Sequence, residues 1–117
     1  MKTVLVVDDS AIMRRIIKKM LSNNGFVVVG EADNGLAGVD KFTELKPDLV
    51  TMDITMQGLS GIDALRQIMK ISADARVVVV SAMGQEIIVR DAIVSGARGF
   101  IVKPFQEDQL VAALDKV

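Results

Sequence analysis

The chain has 117 residues, half of them hydrophobic, with 14 basic and 15 acidic side chains and a formal net charge of −1. That length and apolar fraction support one packed domain over residues 1–117 and exclude intrinsic disorder, while the balanced charge gives no general nucleic-acid or membrane-surface footprint. Cysteine and histidine are both absent, which removes disulfides, zinc–thiolate sites and the Ser-His-Asp or Cys-His forms of catalysis.

Apolar runs alternate with amphipathic stretches about five times. Thr3 to Asp8 reads as the first strand. Ser10 can cap the helix that follows, because its hydroxyl can accept from free amides at a helix start. Ile12, Ile16, Met20 and Leu21 then recur at helical spacing as the inward stripe, and Asn23-Asn24-Gly25 stops the helix. Phe26 to Glu31 is the second strand. Asn34-Gly35 leads into a helix with Leu36, Val39, Phe42 and Leu45 inward, ended by Lys46-Pro47. Asp48 to Asp53 is the third strand. A loop with Gly58 and Gly61 precedes a helix that uses Ile62, Leu65, Ile68 and Met69. Arg76 to Ser81 is the fourth strand. Residues 85–95 form the fourth helix, with Ile88, Val89, Ala92 and Ile93 inward, and Gly96 is its C-terminal stop. Gly99 to Val102 is the fifth strand, and the last helix uses Leu110, Val111, Leu114 and Val117.

Runs such as Val77-Val78-Val79-Val80 read as strands buried on both faces, and strand–helix alternation with short connections gives a parallel sheet with right-handed crossovers. The expected fold is therefore α/β, a doubly wound five-stranded parallel sheet with five helices. No apolar stretch reaches membrane-spanning length, and the N-terminus is strand-like rather than a signal peptide. The expected location is the cytoplasm.

Parallel strands end on one side of their sheet, and ligands of open α/β sheets bind in the crevice there. Three of these runs end in charged residues: Asp8-Asp9, Asp53 and Lys103. Ser81 closes a fourth. Any one of them alone is unremarkable as a helix cap or a solvated charge; together they form a pocket. Two unit charges about 4 Å apart interact by roughly 4 kcal/mol at an effective dielectric near 20. Three carboxylates therefore need neutralising, and Lys103 leaves two negative charges for one Mg²⁺. Mg²⁺ takes oxygen ligands and commonly bridges one or two carboxylates to a phosphate. A carboxylate can itself accept a phosphoryl group, with Lys103 and Mg²⁺ supplying charge and Ser81 a hydrogen bond.

At these residues the chain resembles the receiver domains of two-component response regulators, over its whole length. The stretches Thr51-Met52-Asp53-Ile54-Thr55-Met56, Ser81-Ala82-Met83-Gly84-Gln85 and Phe100-Ile101-Val102-Lys103-Pro104-Phe105-Gln106 resemble the chemotaxis branch more than receivers fused to DNA-binding domains. The resemblance implies the flavodoxin-like strand order 2-1-3-4-5. It implies phosphorylation at Asp53, with Lys103 contacting the phosphoryl group. It implies Mg²⁺ on Asp9, Asp53 and the backbone carbonyl of Thr55, with Asp8 acting through water. It also implies a switch pair, Ser81 and Phe100, and a cis bond between Lys103 and Pro104. The implied partners are a sensor histidine kinase, the flagellar motor switch protein and a phosphatase, with no nucleic acid or membrane, for a monomer. The start at Met1 and the absence of a linker favour a stand-alone domain. Gln57 departs from the proline usual in the family, and Phe100 replaces the tyrosine of some members.

Ile87 and Val94, seven residues apart, share a side of the fourth helix away from its inward stripe. With Phe100 they mark the fourth helix, fifth strand and fifth helix as the partner surface. Three rival functions share the fold. A phosphorelay receiver would pass the phosphoryl group on to a histidine phosphotransfer protein. An aspartyl-phosphate phosphatase wants a second acid two residues after its nucleophile, where this chain has Thr55. A flavin carrier wants a hydroxyl-rich phosphate loop where this chain has Asp8-Asp9.

Overall fold

The computed structural model describes residues 2–56 and 60–117. The elements run β1 (Thr3–Val7), α1 (Ala11–Asn23), β2 (Val27–Ala32), α2 (Gly35–Leu45), β3 (Leu49–Met52), α3 (Gly61–Ile71), β4 (Val77–Ser81), α4 (Glu86–Val94), β5 (Gly99–Val102) and α5 (Glu107–Asp115). The five strands form one parallel sheet in the order β2-β1-β3-β4-β5. Expected and observed elements agree to within a residue or so at the strand ends. Gly58 and Gln57 lie outside the described residues.

Strand side chains alternate between faces, and this divides the core into two layers. Leu5, Val7, Val50, Met52, Val77 and Val79 pack with α2, α3 and α4 through Phe42, Leu65, Ile68 and Ala92. Val4, Val6, Leu49, Val78, Val80 and Ile101 pack with α1 and α5 through Ile17, Leu21, Leu110 and Leu114. Burial on both faces is why β1, β3 and β4 are unbroken apolar runs. β2 lies at the sheet edge and leaves Val27 and Val29 partly exposed.

The chain enters its first three helices through side-chain caps. The Ser10 hydroxyl accepts from Met13 N–H, the Asn34 amide oxygen from Ala37 N–H, and the Ser60 hydroxyl from Asp63 N–H. Each such cap is worth about 1 kcal/mol. Gly96, with φ +118°, takes the left-handed conformation that ends α4.

Three inward stripes differ from the sequence pattern. Ile12 and Ile16 are 73% and 40% exposed, while Met13, Ile17, Met20 and Leu21 face the sheet. The doublets Ile12-Met13 and Ile16-Ile17 offer two helix rolls one residue apart, but Met13 and Ile17 continue into Met20 and Leu21, whereas Ile12 and Ile16 continue into Lys19 and Asn23, so the first stripe buries more apolar surface. Polar contacts agree with that roll: Arg14 and Lys18 both reach Glu31 on β2, at 2.7 and 2.6 Å. In α2, Leu36 is exposed and the buried stripe is Gly35, Gly38, Val39 and Phe42. A Cβ at Gly38 would sit only 3.1 Å from a Val7 methyl, so the helix rests on glycine where it crosses β1 and turns Leu36 outward. In α4, Ile93 is also largely exposed; this nine-residue helix buries only Ala92 fully and half-buries Ile88 and Val89.

Candidate functional site

The strand order places β1 beside β3, with Val7 opposite Met52, so Asp8 and Asp53 emerge side by side. Backbone bonds extend the pairing past the strand ends. Asp53 N–H donates to Val7 O and Asp8 N–H to Ala32 O, both at 3.0 Å. Both carboxylates are almost fully buried, at 1% and 3% exposure, while Asp9 is exposed. Ligand atoms of Asp8, Asp9 and Asp53 all lie within 4.8 Å of one another.

Lys103, at the end of β5, bridges the two buried acids. Its Nζ lies 2.7 Å from Asp8 Oδ2 and 3.3 Å from Asp53 Oδ2. Burial alone would pull the ammonium down; the Asp8 hydrogen bond and the charges of Asp53 and Asp8 outweigh it and hold Lys103 above the ordinary lysine range. The Lys103–Pro104 bond is cis. Lys103 N–H donates to Ser81 O at 2.8 Å, which ties the lysine to the end of β4. Ser81 is fully buried, and its hydroxyl oxygen accepts from Met83 N–H at 3.1 Å. Among the described residues its hydroxyl hydrogen has no acceptor. Phe100 sits opposite Val79 on β5 and packs half-buried against the core layer beneath α4. Ser81 lies on that same sheet face, being two residues beyond Val79.

The remaining carboxylate oxygens differ in their engagement. Asp8 Oδ1 accepts from Ser10 N–H at 2.9 Å. Asp53 Oδ1 accepts from both the N–H and the hydroxyl of Thr55, each at 2.9 Å. The Asp9 carboxylate has no hydrogen-bond partner among the described residues. Buried oxygens on two sides and an exposed, untethered acid on the third suit a small hard cation that keeps some of its waters.

The structure thus brings Asp8, Asp9, Asp53 and Lys103 into one pocket, with Thr55 bonded to Asp53 and Ser81 joined to Lys103 through the backbone. Ile87 and Val94 stand apart from it, 75% and 80% exposed on α4. Three contributors escape the sequence pattern. The Thr55 side chain holds Asp53 Oδ1. Arg14 donates from Nη1 to the carbonyl oxygen of Asp8 at 2.7 Å; in sequence it is one of four basic residues, with Arg15, Lys18 and Lys19, interleaved with the apolar residues of α1. Gly61 starts α3 against the backbone of Asp53 and Ile54, where a Cβ would collide with Asp53 O and Ile54 Cα. A glycine in a loop gives no hint of such a contact until the loop is folded.

These features define a flavodoxin-like α/β domain with an acidic, lysine-bridged pocket at the carboxyl edge of its sheet. The chain belongs to the response regulator receiver domain family, whose model matches residues 4–115. It is 54% identical over 116 residues to the chemotaxis protein CheY of Thermotoga maritima, covering 99% of this chain and 97% of that protein. It is 55% identical over 113 residues to the chemotaxis protein CheY of Bacillus subtilis, covering 97% and 94%. A chain in the crystal structure of the CheX–CheY–BeF3–Mg²⁺ complex from Borrelia burgdorferi superposes with a TM-score of 0.96 at 34% identity, covering 98% of this chain and 87% of that one. No helix among the described residues is long and apolar enough to cross a membrane.

Proposed function

We propose that this chain is a chemotaxis response regulator that takes a phosphoryl group from a sensor histidine kinase onto Asp53, works as a single receiver unit over residues 1–117, and then binds the flagellar motor switch protein. One observation carries the chemistry. Three carboxylates converge within 4.8 Å, two of them buried and bridged by a single lysine.

Mg²⁺ fits this oxygen-only, net-negative donor set; it would be held by Asp9, Asp53 and the Thr55 carbonyl, with Asp8 acting through water, and when bound supplies positive charge to the phosphoryl oxygens. The chain's own residues do the rest. Asp53 is the nucleophile, oriented by Thr55. Lys103 neutralises a phosphoryl oxygen in place of part of its present pairing with Asp53. Ser81 turns its unengaged hydroxyl hydrogen to another phosphoryl oxygen, and Phe100 moves into the space this opens on the α4 side of the sheet. The partner surface is α4-β5-α5, with Ile87, Val94 and Phe100. A phosphatase that returns the chain to its resting state completes the partner set, and the site of action is the cytoplasm.

The test is intact mass after incubation with acetyl phosphate and Mg²⁺. One phosphoryl group should be gained by the parent, and none by Asp53→Asn or by a metal-free sample. No gain by a folded, Mg²⁺-bound parent would refute acceptance from small donors. Ile87→Ser should phosphorylate normally and bind the motor switch protein about tenfold more weakly, a cost within the range for an exposed interface anchor; undiminished binding in a pull-down titration would remove Ile87 from the surface.

A further inference from the structure

Arg14 has no part in the chemistry above, yet it makes the most constrained polar contacts of α1. Its side chain is only 16% exposed, and its Nε lies 2.7 Å from Glu31 Oε1. From the same guanidinium, Nη1 donates to the carbonyl oxygen of Asp8 at 2.7 Å. Lys18 holds the second oxygen of Glu31 at 2.6 Å. Glu31 is thereby fixed on the edge strand β2, and Arg14 is fixed between that strand and the pocket.

The carbonyl of Asp8 belongs to the Asp8–Asp9 peptide. The amide on the other side of Asp8 is already tied to Ala32 O, and both its carboxylate oxygens are taken by Ser10 N–H and Lys103. Asp9, by contrast, is exposed and its carboxylate is untethered. The plane of the Asp8–Asp9 peptide decides where the Asp9 Cα sits and which way its side chain leaves the backbone. Arg14 holds that plane. A planar guanidinium can serve two acceptors in fixed directions at once, which a lysine cannot.

We propose that Arg14 is a positioning residue for the acidic pocket: it orients the Asp8–Asp9 peptide so that the Asp9 carboxylate is preset for a divalent cation, with Glu31 and Lys18 acting through it. This rests on the Mg²⁺ reading above. The sign of the effect separates positioning from charge. Removing a cation beside three carboxylates should, by Coulomb's law alone, tighten Mg²⁺ binding; removing an orienting hydrogen bond should loosen it, and outer partners of metal ligands are typically worth 10–100-fold in affinity.

The experiment is calorimetric titration of the whole chain with MgCl2, beside urea midpoints without metal. Arg14→Met is expected to weaken Mg²⁺ binding roughly tenfold. Glu31→Gln, which removes only the buttress, should weaken it less, and Arg14→Lys should fall between Arg14→Met and the parent. The Mg²⁺-induced shift in the urea midpoint should shrink in the same order, a change that a purely structural role for Arg14 would not produce. Affinity in Arg14→Met and Arg14→Lys equal to the parent's, or tighter, overturns the proposal. A parent chain that does not bind Mg²⁺ overturns the metal reading itself, and the parent titration alone shows it.

Discussion

Lys103→Met is the most direct test of the electrostatics of the pocket, because it keeps the apolar stem and deletes the charge. Lys103 is the cation that bridges Asp8 and Asp53, at 2.7 and 3.3 Å, and both acids are at most 3% exposed. Removing one member of a buried ion pair typically costs about 3–5 kcal/mol, because the partner charge stays behind unsolvated. Here two partners stay behind, and they repel each other and Asp9. The upper end of that range is therefore expected for the metal-free variant. At about 4 °C per kcal/mol for a chain of this size, the melting temperature should fall by roughly 15–20 °C. Mg²⁺ should restore more in the variant than in the parent, since the variant pocket carries one more negative charge. At 100 times its dissociation constant a ligand adds about 2.7 kcal/mol, so a tighter site gains more at the same concentration. Paired thermal melts with and without Mg²⁺ measure both quantities. A metal-free variant as stable as the parent would show that the acids are already neutralised, by protonation or by water, and would refute the repulsion account.

Asp53→Asn removes a buried charge from the same cluster while keeping an oxygen for the Thr55 donors; without metal it should be about 1–3 kcal/mol more stable than the parent by urea titration, the scale of one buried charge contact at an effective dielectric near 20 offset by the lost Lys103 pairing. Thr51 on β3 is 1% exposed, and its hydroxyl has no partner among the described residues. An unpaired buried hydroxyl costs about 1–3 kcal/mol, so the isosteric Thr51→Val should raise stability by about 1 kcal/mol, and a loss would show that the hydroxyl has a partner. Glu31 is held below its ordinary value of 4.5 by the Lys18 and Arg14 hydrogen bonds, against a smaller opposing effect of burial. A depressed carboxylate stabilises above the unfolded value and loses that contribution as pH falls through the folded one. The stability advantage of the parent over Glu31→Gln, at most about 1 kcal/mol for so exposed a pair, should therefore be present at pH 6 and be lost as pH falls below 4.5 through the lowered folded value; a difference that stays constant across the whole acid limb would assign it to packing instead.

The sheet was legible in the sequence because its information is local. An unbroken valine run such as Val77–Val80 can bury both faces only in the middle of a helix-covered parallel sheet. The pocket acids were legible for a related reason: once strands are parallel, Asp8, Asp53 and Lys103 must share an edge. Neighbourhood along that edge was not legible from pattern. Asp8 meets Asp53 only because β1 lies between β2 and β3, and that order came from the family resemblance. The helix rolls were the weakest point. Ile12 and Ile16 read as core because isoleucine reads as core, but α1 carries isoleucine on two adjacent stripes. What decides between them is how each stripe continues, Met13 and Ile17 into Met20 and Leu21, Ile12 and Ile16 into Lys19 and Asn23. The contacts with Asp53 leave no periodic trace either: the Thr55 contact is a side chain folding back two residues, and the Gly61 contact is a close approach to backbone.

The two acids that begin the pocket divide its labour in a way their adjacency hides. Each Asp8 oxygen is already engaged once: one takes Ser10 N–H and helps start α1, and the other takes the shorter of the two Lys103 contacts. A cation drawing directly on Asp8 would have to reach a carboxylate that is 1% exposed and share it with a lysine already bound there. Asp9 faces solvent and makes no side-chain hydrogen bond among the described residues. On the Mg²⁺ reading proposed above, direct ligation is expected of Asp9 and of Asp53 Oδ2 once Lys103 turns away from it, with Asp8 contributing its charge through water. A lysine 2.7 Å from Asp8 and 3.3 Å from Asp53 can turn toward an incoming anion without abandoning its shorter pairing, so that, on the proposed function, the ion pair with Asp8 is kept while Asp53 is released to react.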